Sequence, residues 1–90
     1  MTAHDVHGAI DAVWRIESAR LIAGLTRVVG DVGVAEDLAQ DALVAALEQL
    51  PESGVPENPG AWLGAVGGRR AIDLLRRQAA LARKREELAN

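Results

Sequence analysis

Apolar side chains recur along this chain at helical spacing, and no stretch alternates in the two-residue rhythm of a half-buried strand. From about Val6 to Val29, Ile10, Trp14, Leu21, Leu25 and Val28 fall on one stripe, which predicts a helix with a single buried face. Gly30 stands where that helix should stop, and Asp31 is placed to cap the next one. Over residues 32–50 the inward positions are Val34, Leu38, Ala42, Ala45 and Ala46, with Leu43, Leu47 and Leu50 widening the stripe. Glu36, Asp37, Gln40 and Asp41 crowd the polar side of its first half, where the helix dipole favours acids. Pro51 is expected to end this helix and to open the loop PESGVPEN, residues 51–58. Asn58 followed by Pro59 signals a third helix, an N-cap and then proline in the first turn, running to about Leu88. Trp62, Leu63, Val66, Ile72, Leu75 and Leu81 supply its apolar side, and the mostly charged turns after Leu81 are expected to fray. The pattern therefore predicts an all-α fold of three helices in a single domain spanning residues 1–90.

Composition narrows the function more than the fold. The absence of cysteine excludes a disulfide framework and a thiolate metal site, and suits a reducing cytoplasm. No apolar run reaches the length of a membrane span, and MTAHDVHGAIDA lacks the basic start and apolar centre of a signal peptide. The net charge is −3 but is unevenly distributed. Residues 1–68 carry three Arg against ten Asp and Glu, a net of −7, whereas residues 69–90 carry seven Arg and Lys against three acids, a net of +4. Such asymmetry points to two binding faces, one for a basic protein surface and one for a polyanion.

Enzyme chemistry finds little support. His4 and His7 are three apart, the spacing of a metal pair, but they belong to the N-terminal tail and have no third ligand in view, so no metal or cofactor is expected. Glu36, Asp37 and Asp41 read as a solvated or docking face rather than acid–base carboxylates, since no nucleophile or Gly-rich loop accompanies them. The basic helix is more informative: Arg69 and Arg70, Arg76 and Arg77, then Arg83, Lys84 and Arg85 recur about every seven residues. Two helical turns advance about 11 Å, so the clusters can meet a phosphate backbone repeatedly along one edge. Trp62, in the first turn of that helix, could stack on an unpaired base, although its apolar neighbours favour a core role, as they do for Trp14.

The segment containing AEDLAQDAL, followed after a short loop by NPGAWLGAVGGRRAIDLLRR, resembles conserved region 2 of bacterial sigma factors, in particular the extracytoplasmic-function group of the sigma-70 family. The likeness covers about Trp14 to Arg77. The upstream VWRIESARLIAGL is most similar to a subgroup with a C-terminal helical-repeat extension. The resemblance implies an all-α fold, a compact three- to four-helix bundle, non-enzymatic and with two tasks. One is docking on the clamp helices of the RNA polymerase β′ subunit, through a D-L-x-Q-E/D core to which Asp37, Leu38, Gln40 and Asp41 correspond, with Glu36 beside them. The other is opening and reading the promoter −10 element on the unpaired non-template strand, for which Arg69, Arg70, Asp73, Arg76 and Arg77 lie in the matching stretch. It further implies that the loop PESGVPEN can form a pocket for a flipped base, and that an anti-sigma factor is a possible partner.

The chain departs from the family pattern where A-R-N usually precedes the I-D pair, since Gly67, Gly68 and Arg69 stand there and two expected polar contacts to DNA are missing. Arg69 can substitute by a phosphate contact. Glu52 and Glu57 put acids in the specificity loop, and Ala65 and Val66 replace the tandem aromatic residues with which primary sigma factors melt DNA. No region 4 follows, so the chain is expected to be an excised domain. Two other readings stay open at this point: a helical protein-interaction module that binds no DNA, and a regulator that binds duplex DNA.

Overall fold

In the computed structural model, which describes residues 2–90, three helices account for almost every described residue: α1 (Ala3–Val29), α2 (Val32–Ser53) and α3 (Pro59–Ala89). Each start is fixed by a side chain that accepts a hydrogen bond from an otherwise unpaired N–H of the first turn. Thr2 and Asp5 form a reciprocal capping box on α1, with Thr2 N–H donating to the Asp5 carboxylate at 3.1 Å and Asp5 N–H donating to the Thr2 hydroxyl at 3.2 Å. Those two Thr2 donors, its N–H first and then its hydroxyl, hold the Asp5 carboxyl below its ordinary pKa of 3.8. Asp31 caps α2 by accepting from Val34 N–H, and Asn58 caps α3 by accepting from Ala61 N–H, both at 3.0 Å. Gly30 closes α1 at φ 76°, ψ 13°, the left-handed conformation that glycine adopts without penalty, and its N–H reaches the Thr26 carbonyl at 2.8 Å.

The expected boundary at Pro51 moves. α2 continues through Pro51 to Ser53 and closes where Gly54 N–H donates to the Leu50 carbonyl at 2.8 Å. A proline in the last turn forfeits one intrahelical bond but leaves the next one intact, so the helix ends just after it rather than at it. The connection to α3 is accordingly Gly54–Asn58, shorter than the eight-residue loop read from the sequence. α3 is also helical through its charged end, to Ala89, where the sequence suggested fraying. The helix formers Ala, Leu, Arg, Lys and Glu dominate that stretch and need no packing partner to favour it locally.

All three helices pack on one another. One core cluster joins Val6 and Ile10 of α1, Ala42, Ala45, Ala46 and Leu50 of α2, and Leu63 and Val66 of α3. A second joins Leu25 with Ala35, Leu38, Ala39 and Ala71. Trp14 packs against both clusters and Trp62 against the first, each half-buried, so both tryptophans serve the core. The alanines of α2 are what let α1 and α3 approach closely. Ala35 and Ala39 are completely buried, although hydropathy alone pointed to larger neighbours.

Three apolar expectations shift with this packing. Val28 is half-exposed, and Val29 packs inward instead. On α3 the buried line is Leu63, Val66, Gly67 and Ala71, continued by Leu74, whereas Ile72, Leu75 and Leu81 are exposed. The bulkiest residues of α3 do not set its inward line, because the contact with Leu25 of α1 selects Gly67 and Ala71. From Leu75 onward α3 contributes nothing buried, and the helix projects from the bundle, giving the molecule extents of 59 × 24 × 18 Å.

Candidate polymerase and nucleic-acid interfaces

The acidic face lies on the first half of α2. Glu36, Asp37, Gln40 and Asp41 are all exposed, and no ion pair ties them to another side chain among the described residues. Local helix energetics do not account for them. No acid of α2 lies in its first turn, and the dipole's influence fades beyond that turn. Asp37 and Asp41 are an i,i+4 pair of like charge, which is unfavourable by about 0.2–0.5 kcal/mol. Leu38 occupies a different place from these four. It is 7% exposed and belongs to the core cluster with Leu25, Ala35, Ala39 and Ala71, so its side chain holds the acidic turn against the bundle from beneath. Sequence reasoning missed two residues of this surface. Val44 and Leu47 are exposed and follow on the same side of α2, giving the acidic turn an apolar margin. The apolar pattern alone places Leu47 in the core, but it is 37% exposed. The signal that could have found them is their position one and two turns beyond Gln40 on the polar stripe.

The basic face lies on α3. Arg69, Arg70, Asp73, Arg76 and Arg77 are all exposed, and at about 100° per residue they share one flank of the helix, which Arg83 and Lys84 extend. The ion pair found among the described residues is on α1, Arg15 with Asp11 at 2.9 Å, so the α3 cations and Asp73 are not engaged with each other. This leaves a stripe of unneutralised guanidinium groups for an external anion.

The glycines at the departure from the family pattern have distinct places. Gly67 is buried, and a Cβ there would lie 3.2 Å from Leu25 Cδ1 and 3.6 Å from Leu21 Cδ1, so any side chain at this position would press on Leu25 of α1. Gly68 lines a groove of about 290 Å³ between α1 and α3, together with Gly60, Gly64, Leu21, Gly24 and Val28. The missing side chain at Gly68 thus opens that groove, on the other flank from Arg69 and Arg76.

Beneath the Gly54–Asn58 connection the apolar cavity measures only about 10 Å³, lined by Val55, Pro59, Trp62 and Leu63 among others, room for about one water and far too small for a base. Glu52 and Glu57 are exposed at either side of the connection. His4 and His7 are exposed on the first turns of α1, and no cluster of three ligating side chains forms among the described residues. Nor is any described helix long and apolar enough to cross a membrane.

The all-α bundle is the fold that the sequence resemblance implied, and comparison with known proteins shows the same family. Residues 15–81 match the family model for sigma-70 region 2, which is three-quarters of the chain. The chain therefore belongs to the sigma-70 region 2 family. It is 31% identical, over 92% of its own length, to the probable ECF RNA polymerase sigma factor SigI of Mycobacterium tuberculosis. That likeness is to the extracytoplasmic-function group expected from the two motifs. It is also 35% identical over 79% of its length to the uncharacterized protein R00370 of Rhizobium meliloti. The chain spans 28% of the length of SigI and 17% of R00370. No solved structure matches it.

Proposed function

We propose that this chain is the region 2 domain of an extracytoplasmic-function sigma factor, acting without catalysis in the cytoplasm to join RNA polymerase to a promoter. The observation that carries the reading is the pair of exposed, unpaired charged faces that fall at the family's two motifs. Glu36, Asp37, Gln40 and Asp41 are held over buried Leu38, and Arg69, Arg70, Arg76 and Arg77 share one flank of α3. The first face would dock on the β′ clamp helices, where its charges steer a basic partner and its Gln40 amide fixes register. Val44 and Leu47 would add apolar contact at its margin.

The second face would hold the non-template strand of the −10 element. Arginine suits this task because its planar guanidinium contacts phosphate through two parallel hydrogen bonds and also stacks on bases. Both tryptophans serve the core, so little aromatic stacking is available to hold an opened strand. Binding should therefore be dominated by phosphate contacts and should fall steeply with salt.

The test is a comparison of one −10-like oligonucleotide as a single strand and as a duplex, by fluorescence anisotropy across a salt series. The reading expects preference for the single strand. Substituting Arg76→Ala and Arg77→Ala together should flatten the slope of log K against log salt by about 1.4, from roughly 0.7 per phosphate contact. A preference for duplex would favour a duplex-binding regulator, and no binding to either form would favour a module that contacts proteins alone.

A further inference from the structure

The bundle itself does not call for the groove between α1 and α3. Alanine at Gly64 or Gly68 would meet no heavy atom within 4 Å and would favour the helix, so packing within one chain gives no reason for glycine there. The groove they open, about 290 Å³, is walled on the α1 side by Leu21, Gly24 and Val28. Arg20 stands on its rim, and Arg27 follows seven residues later on the same line of α1. Both guanidinium groups are exposed, and the ion pair found among the described residues, Arg15 with Asp11, involves neither. Glu17, the one acid lining the groove, is partly buried and lies over Gly60, at the end before Arg20. Ile16, one turn before Arg20, is 78% exposed and adds an apolar margin.

The complement to this rim stands on α2. Val44 and Leu47 are exposed there, and Asp41 and Glu48 flank Val44, three residues before it and four after. Seven residues of helix rise about 10.5 Å, so the two acids are spaced along α2 as the two arginines are along α1. The aliphatic pair matches the groove in character, and a wall without side chains lets another helix approach closely. Pairing two α2 faces would set Asp41 and Glu48 against the same acids, and pairing two grooves would set Arg20 and Arg27 against the same arginines. The unlike pairing, α2 face on groove, brings opposite charges together, and a second copy of this chain supplies both halves of it.

We propose that two copies of this chain dock head to tail, with Val44 and Leu47 of one seated in the α1–α3 groove of the other and Asp41 and Glu48 set against Arg20 and Arg27. Such a contact leaves a groove free at one end and an α2 face free at the other, so further copies can add. A seated copy also has its acidic turn covered, so self-association and polymerase docking would compete. That consequence rests on the polymerase reading; the association does not.

Sedimentation of the whole chain over a concentration series, at low and at raised salt, measures the association. The average mass should rise with concentration beyond that of a dimer, and raised salt should reverse the rise. Gly64→Gln with Gly68→Gln fills the groove with a good helix former and meets open space, and Asp41→Lys with Glu48→Lys inverts the acidic line on an exposed face. Both double variants should keep the parent's circular dichroism, and each alone should associate at least about tenfold more weakly than the parent. Mixed in equal amounts, they should form a dimer that does not grow, because one supplies the groove and the other the α2 face. A parent that stays monomeric, association unchanged in either double variant, or no dimer in the mixture would overturn the proposal. In a clamp-helix retention assay, the Asp41→Lys, Glu48→Lys chain added in excess should compete with the fragment for the Gly64→Gln, Gly68→Gln chain. A mixed dimer whose α2-intact member retains no fragment even when alone would support the association and defeat the polymerase reading.

Discussion

Three glycines in the interior of α3, Gly64, Gly67 and Gly68, should respond to the same substitution with opposite signs. In a helix interior, alanine is favoured over glycine by about 0.8–1.0 kcal/mol. At Gly64 and Gly68 an added Cβ meets no heavy atom within 4 Å, so the whole propensity gain should be realised. Gly64→Ala and Gly68→Ala should each stabilise by about 1 kcal/mol; the two methyl groups would be neighbours one turn apart, so simple additivity is not expected of the pair. For a domain of this size that raises Tm by about 4–8 °C for each substitution. At Gly67 the same Cβ would lie 3.2 Å from Leu25 Cδ1 and 3.5 Å from Cδ2. Leu25 is itself buried against Ala35, Leu38 and Ala39 of α2 and Ala71 of α3, so it has little freedom to give way. Overpacking of this kind typically costs about 1–3 kcal/mol, which cancels or outweighs the propensity gain. The order expected in urea and thermal melts followed by circular dichroism is Gly64→Ala and Gly68→Ala above the parent, and Gly67→Ala level with it or below. Equal stabilisation by all three would refute the tight α1–α3 approach at Leu25. Destabilisation by Gly64→Ala or Gly68→Ala would refute the open groove.

Other substitutions separate support from surface on α2. Leu38→Ala should lower stability by about 2–4 kcal/mol, from the lost burial and the cavity left beside Leu25 and Ala71, whereas Asp37→Ala and Gln40→Ala should stay within about 0.5 kcal/mol of the parent in the same melts. Asp31→Ala should cost about 1 kcal/mol by removing the acceptor for Val34 N–H. The Asp5 carboxyl has its pKa lowered in the fold, so its support of α1 is fully present above the ordinary carboxylate value of 3.8 and fades as pH falls through the lower folded value. Amide exchange of the first turn of α1 should therefore quicken in acid, and Asp5→Asn should remove that pH dependence without affecting α2.

Much of the architecture could be read from the chain because its punctuation is chemical. Gly30, Asp31, Asn58 and Pro59 each act locally, and each performs the stop or start that its type suggests. Pro51 misled because proline's penalty depends on its depth in the helix, and a position in the last turn forfeits only one bond. The core residues were harder to read wherever packing selected small side chains. Ala35, Ala39, Gly67 and Ala71 carry weak hydropathy, yet they set the distances between helices, while Ile72 and Leu75 point outward. The charged faces were legible as patterns. What the sequence could not reveal was that Val44 and Leu47 border the acidic turn, or that Gly68 faces a groove instead of the basic stripe. Each of these depends on which side of a helix its neighbours occupy.

The central claim is that the acidic turn of α2 is a polymerase-docking surface. The measurement that tests it most directly is co-purification with a β′ clamp-helix fragment of the chain carrying Asp37→Ala, Gln40→Ala and Asp41→Ala together, beside the parent. All three side chains are exposed, so the variant should keep the parent's helicity and melting curve, which the same samples would verify. The account predicts that the parent retains the fragment and the triple variant loses it. Equal retention by a folded triple variant would contradict the account.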